Sequence, residues 1–167
     1  HKLLVISDVA VIPLPDFKQK TVQIGYLART ANLLGIKTPK IACIAPSEQL
    51  LPNVISSTEG ALLAKMGDRG QLGDVVVDGP LSLDVALYKE VAEHKKVRGS
   101  SVAGDPDCLL FPNLESANVF FKSVSHLCGG ELAAMVMGTK VPCVLTSRGD
   151  TSKTKLYSIA LACLAAR

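Results

Sequence analysis

Six short apolar runs punctuate the chain: LLVIS at Leu3–Ser7, KIACIA at Lys40–Ala45, VVV at Val75–Val77, CLLF at Cys108–Phe111, MVM at Met135–Met137 and VPCVLT at Val141–Thr146. None alternates apolar with polar residues, as a strand with one wet face would. Unbroken runs of this length suit parallel strands covered on both faces. The longer segments between them carry apolar residues at helical spacing. In the first, Ile24, Leu27, Ala28, Ala31 and Leu34 form one face, Asp16 stands at the N-cap with Gln19 at the capping-box position, and Gly35 suits the site just past the helix end. The same spacing predicts helices over Ser57–Met66, Leu83–Glu93, Leu114–Cys128 and Ser152–Ala166. Strand and helix in alternation predict an α/β fold with right-handed crossovers.

That fold class says where to look for chemistry. In open α/β sheets ligands bind beyond the carboxyl ends of the strands. The residues that follow the runs are Ser7-Asp8, Pro46-Ser47-Glu48, Asp78-Gly79-Pro80, Pro112-Asn113 and Ser147-Arg148-Gly149-Asp150. Ser7, Ser47 and Asn113 taken singly are ordinary caps and turn formers. The Asp-Gly-Pro and Ser-Arg-Gly-Asp stretches are denser than capping requires, and both read as loops.

Composition narrows the function classes. The 167 residues are 48% hydrophobic and 20% charged, which is globular composition in the size range of one domain. No run approaches the roughly 18 apolar residues of a membrane span, so the chain reads as soluble and cytoplasmic, with no membrane partner. Four cations against one anion between Thr146 and Arg167 account for the whole net charge of +3. The rest of the chain is balanced, which argues against a nucleic-acid footprint and leaves room for a small anion near the C-terminal segment. The five cysteines include no CxxC pair, and Cys43, Cys108, Cys143 and Cys163, each among apolar neighbours, read as reduced, buried thiols. His94 and His126 lie at no metal-ligand spacing and read as helix-surface residues, so no metal site is expected.

Phosphate-binding signatures are absent. There is no GxxxxGK[ST] loop, Gly67, Gly70 and Gly73 precede a strand instead of linking one to a helix, and no GxSxG elbow occurs. What remains is Ser147 and Arg148 at a strand end, ahead of a helix whose free N–H groups favour an anion. Arginine offers a planar fork for phosphate or carboxylate, and serine a hydroxyl for an oxyanion. Asp150 can cap the helix, pair with Arg148 or accept a proton.

Three linked stretches, VVVDGPLSLDVA (75–86), GDPDCLLFPNLESAN (104–118) and VPCVLTSRGDTSKTKLYSIALA (141–162), closely resemble the phosphate acetyl/butyryltransferase family, and KMGDRGQ (65–71) resembles its butyryltransferase branch. The resemblance runs through essentially the whole chain. It implies a three-layer α/β/α fold with a mostly parallel sheet, like that of isocitrate and isopropylmalate dehydrogenases, and a homodimer. It implies the reversible reaction of acyl-CoA and phosphate to acyl phosphate and CoA, with coenzyme A and phosphate as substrates and no cofactor. Ser147, Arg148 and Asp150 are then the expected catalytic residues, with Arg148 on the phosphoryl group and Ser147 at the reacting centre. Asp78, Gly79, Asn113 and Asn118 take the expected substrate-binding positions.

Two positions depart from the family pattern: Thr154 stands where the acetyltransferase branch has a proposed catalytic carboxylate, and Ala117 replaces a glycine before Asn118. Family members are also about twice this long. The resemblance therefore implies a second, dimerising domain over residues 1–140, and a C-terminal strand and helix over 141–167 that pack on a first domain outside the chain. Two other readings stay open: a non-catalytic regulatory or assembly domain of the same fold, and a dehydrogenase of the related fold. The second lacks an assignable acidic metal cluster, since Asp78 and Asp84 are more economically read as loop-shaping and capping residues.

Overall fold

A computed structural model describes residues 2–166. The chain divides into two compact units, His1–Asn118 and Val119–Arg167. The first holds four parallel strands, β1 (Val5–Ser7), β2 (Lys40–Ile44), β3 (Val76–Leu81) and β4 (Cys108–Leu110), in the order β1-β4-β2-β3. The expected α/β class with a mostly parallel sheet is what the chain forms. The two central strands are almost wholly buried, which accounts for their uninterrupted apolar runs.

Helices α1 (Phe17–Leu33) and α2 (Ile55–Asp68) pack on this sheet. Asp16 and Gln19 cap α1 reciprocally: the Gln19 amide donates to the Asp16 carboxylate at 2.7 Å, and the Asp16 amide to Gln19 Oε1 at 2.8 Å. At the far end Gly35 takes φ +91°, its amide bonds the Asn32 carbonyl, and the Ile36 amide reaches back to Ala31. This is a Schellman closure, and Ile36 packs on the core beyond it. Ile24, Leu27 and Ala31 meet Ile41, Cys43, Cys108 and Leu110 of the central strands in that core.

Two expectations fail in this unit for identifiable reasons. The Asp78-Gly79-Pro80 stretch is not a loop: β3 continues through it to Leu81, with a register shift against β2. β3 pairs only with β2, and an edge strand tolerates a proline that cannot donate. The predicted helix over Leu83–Glu93 is two helices, α3 (Leu83–Leu87) and α4 (Lys89–His94), parted by an extended Tyr88. Tertiary contacts explain the break. Gly104 donates to the Ala86 carbonyl at 2.9 Å and lies so close to Lys89 that a Cβ there would stand 2.5 Å from the Lys89 Cα.

Helix α5 (Leu114–His126) begins in the first unit and ends in the second, which also holds α6 (Ser152–Ala165). The strands predicted at Met135–Met137 and Val141–Thr146 reduce to one antiparallel bridge, Val136 with Cys143. A strand is completed by its neighbour, and no further backbone partner lies alongside them among the described residues. Val141 and Leu145 are about two-thirds exposed. The buried-thiol expectation fails in the same unit: Cys43 and Cys108 are buried, whereas Cys143 is half-buried and Cys163 exposed.

Candidate active site

At the carboxyl edge of the sheet the loop after β1 is organised by its first residue. The Asp8 carboxylate accepts from the amides of Ala10, Val11 and Ile12 at 2.8–3.1 Å. Asn118 closes that loop from the side, donating Nδ2 to the Val9 carbonyl at 2.9 Å, and the Leu114 amide bonds the Pro13 carbonyl. Asn113 caps α5, its Oδ1 accepting from the Ser116 amide at 2.9 Å. The structure therefore brings Asn113, Asn118 and the β1 loop together. Ala117 in the same turn is fully buried.

Asp78 and Gly79 lie apart from that group. They belong to β3, which β2 separates from β4, so two strand spacings of roughly 10 Å intervene. The Asp78 carboxylate accepts from the Gly79 amide at 2.8 Å. A Cβ at Gly79 would stand 2.6 Å from Cys43 Cβ, so this glycine permits a close approach of β3 to β2 and α2. Burial, chiefly, pushes the Cys43 thiol up to about 12, which makes it a core residue and not a nucleophile.

Two clusters at this edge escaped the sequence reading. Lys20, in the first turns of α1, forms an ion pair with Glu59 of α2, and the two side chains are 5% and 18% exposed. They border a solvent-open cleft with Cys43, Leu110, Phe111 and Pro112. The available signal was phase: Lys20 stands at i−4 from Ile24 and i−7 from Leu27, on the apolar face. Around Lys95, Nζ lies 3.0 Å from Asp84 and 3.5 Å from Glu48, and donates to Ser82 Oγ at 3.3 Å. Hydrogen bonds from Ser82 and from Lys95 hold the Asp84 carboxyl down at about 2. These groups converge from separate segments, and no local motif marks them.

In the second unit Ser147, Arg148 and Gly149 are exposed on a turn ahead of α6. The Asp150 carboxylate accepts from the Ser147 amide at 2.7 Å, and the Asp150 amide returns a bond to the Ser147 carbonyl at 3.1 Å. Asp150 thus neither caps α6 nor pairs with Arg148. Thr151 is the cap, its Oγ1 accepting from the Thr154 amide at 3.1 Å. Arg148 makes no ion pair among the described residues, so its guanidinium is available to an anion. Further along, Lys153 pairs with Glu131, whose carboxyl is held down chiefly by that hydrogen bond. His94 and His126 are exposed at helix ends, as expected. No group of three His, Cys, Asp or Glu residues fit to hold a metal occurs among the described residues, and no described helix is long and apolar enough to cross a membrane.

Comparison with known proteins identifies the family. The family described as "Phosphate acetyl/butaryl transferase" matches residues 1–163. The chain is 43% identical over 165 residues to a phosphate butyryltransferase of Clostridium acetobutylicum, covering 99% of this chain and 54% of that protein. It is 41% identical over 158 residues to a phosphate acetyltransferase of Thermotoga maritima, covering 95% and 53%. A crystal structure of a branched-chain phosphotransacylase from Enterococcus faecalis V583 superposes with a TM-score of 0.88 at 30% identity, covering 97% of this chain and 58% of that one. The chain thus spans about half the length of the relatives it matches, and its fold, its motifs and these matches make it a member of the phosphate acetyl/butyryltransferase family.

Proposed function

We propose that this chain supplies one half of a phosphate acyltransferase site, with phosphate butyryltransferase as the specific activity: acyl-CoA and phosphate give acyl phosphate and CoA, reversibly. The observation that carries the reading is the exposed Ser147-Arg148 turn ahead of the capped helix α6, with Arg148 unpaired among the described residues. A phosphate oxygen attacks the thioester carbonyl, negative charge develops on the carbonyl oxygen, and the C–S bond breaks to release CoA thiolate. In this scheme Arg148 holds the phosphoryl oxygens in its planar fork and Ser147 Oγ donates to the reacting centre. Asp150 takes the proton of the attacking hydrogen phosphate and passes it to the departing thiolate, and carries it the other way in the reverse direction. The reaction needs no metal or prosthetic group. Asn113 and Asn118, on the turn that braces the β1 loop, and Asp78 and Gly79 are the substrate-side positions of the same reading.

Residues 1–140 act in this account as the second domain, the one through which two copies pair. Residues 141–167 pack on a further domain of the longer protein. Val141, Val144, Leu145, Leu156 and Ile159 support this, being exposed although apolar. One observation favours a non-catalytic regulatory reading. Thr154 holds no carboxylate, and its hydroxyl is spent 3.2 Å from Thr151 Oγ1 in the helix cap.

The two readings separate on product chemistry. A polypeptide carrying this chain at the length of its relatives is incubated with butyryl-CoA and phosphate, and acyl phosphate is trapped with hydroxylamine. Phosphate-dependent hydroxamate is the expected product. No hydroxamate from butyryl-, acetyl- or branched-chain acyl-CoA favours the regulatory domain.

A further inference from the structure

The buried face of α1 carries three polar side chains among Ile24, Leu27 and Ala31. Lys20, Gln23 and Thr30 are each less than one-tenth exposed. Thr30 is satisfied within the helix, donating to the Tyr26 carbonyl at 2.9 Å. Lys20 meets Glu59. Gln23 is different: neither its Nε2 nor its Oε1 finds a hydrogen-bond partner among the described residues.

Groups of this kind lower stability. Desolvating an ion pair offsets much of its attraction, so apolar residues of similar volume often serve as well or better. A buried amide without a partner keeps its desolvation penalty with no return. Their location supplies the missing reason. Lys20 and Glu59 line the cleft formed where β2 and β4 end, together with Phe111 and Pro112, and Pro112 leads directly to Asn113. Open parallel sheets bind ligands at this edge. Gln23 stands three residues beyond Lys20, which places both on one helix face.

We propose that Lys20, Glu59 and Gln23 are positioning residues of the strand-end site, fixing α1, α2 and the end of β4 in a single arrangement at the expense of stability. The inference rests on the acyl-transfer reading above. An apolar face accepts several neighbouring packings, whereas a buried charge pair accepts one register, and the cleft walls follow that register.

Two variants test it in the polypeptide at the length of its relatives: Gln23→Leu, and the double change Lys20→Met with Glu59→Leu. Gln23→Leu is expected to raise Tm by roughly 2–4 °C, and the double variant to stay within roughly 4 °C of wild type. In both, kcat/KM for butyryl-CoA and phosphate should fall at least roughly tenfold, while Lys20→Arg, which keeps the charge, retains most of it. Variants that remain stable with full kcat/KM overturn the proposal, as does a loss of rate that only tracks a loss of Tm. An inactive wild-type polypeptide sinks the acyl-transfer reading and this inference together. An active wild type with unaffected variants sinks this inference alone.

Discussion

Arg148 and Lys20 are both cations, yet their surroundings give them different work. Arg148 lies exposed without an ion-pair partner among the described residues, as an anion ligand requires, whereas Lys20 is enclosed with Glu59. The sequence marked Arg148 through its neighbours Ser147 and Gly149. It marked Lys20 only by helical phase, because Glu59 is 39 residues away and the pairing exists only once α1 and α2 pack together. Lys95 is a third case, tying the segment after β2 to the start of α3. Asp84 is held from 3.8 down to about 2, so its contribution to stability is complete above pH 4 and is lost as pH falls from about 4 to 2. Replacing Lys95 with Met should move the Asp84 titration upward, read from its side-chain carboxyl chemical shift, and flatten the fall of Tm across that window. An unmoved Asp84 titration would remove Lys95 from this role.

Elements closed by local chemistry were legible in advance. The Asp16–Gln19 capping box and the Gly35 terminus bound α1 where the spacing predicts, and the central strands coincide with unbroken apolar runs. Elements completed by distant partners were not. Gly104 divides the Leu83–Glu93 helix from outside it, and the runs at 135–137 and 141–146 bear strand composition without a strand beside them. Asp78-Gly79-Pro80 looked like a turn because glycine and proline usually punctuate; here the glycine fits β3 against Cys43 and the edge position admits the proline. Gly79→Ala should therefore destabilise the first unit by about 1–3 kcal/mol in denaturant unfolding, since its Cβ would overlap the Cβ of buried Cys43. A change below roughly 0.5 kcal/mol would show that the strands part freely.

At the scale of the molecule, the family was legible because three motifs recur in order, and the fold followed from the alternation of runs and helices. The two halves of the expected site fall in different units: Asn113 and Asn118 in the first, Ser147, Arg148 and Asp150 in the second. No local pattern could show how such halves combine, since that depends on surfaces that single residues do not encode. The chain spans about half the length of the relatives it matches, and Val141, Val144, Leu145, Leu156 and Ile159 of its last 27 positions are exposed. The most direct measurement is phosphate-dependent CoA release from butyryl-CoA by the polypeptide at its relatives' length, compared with its Arg148→Ala variant. The account predicts robust release by wild type and a loss of roughly 10²-fold in kcat/KM for phosphate in the variant. Equal rates in the two would contradict it.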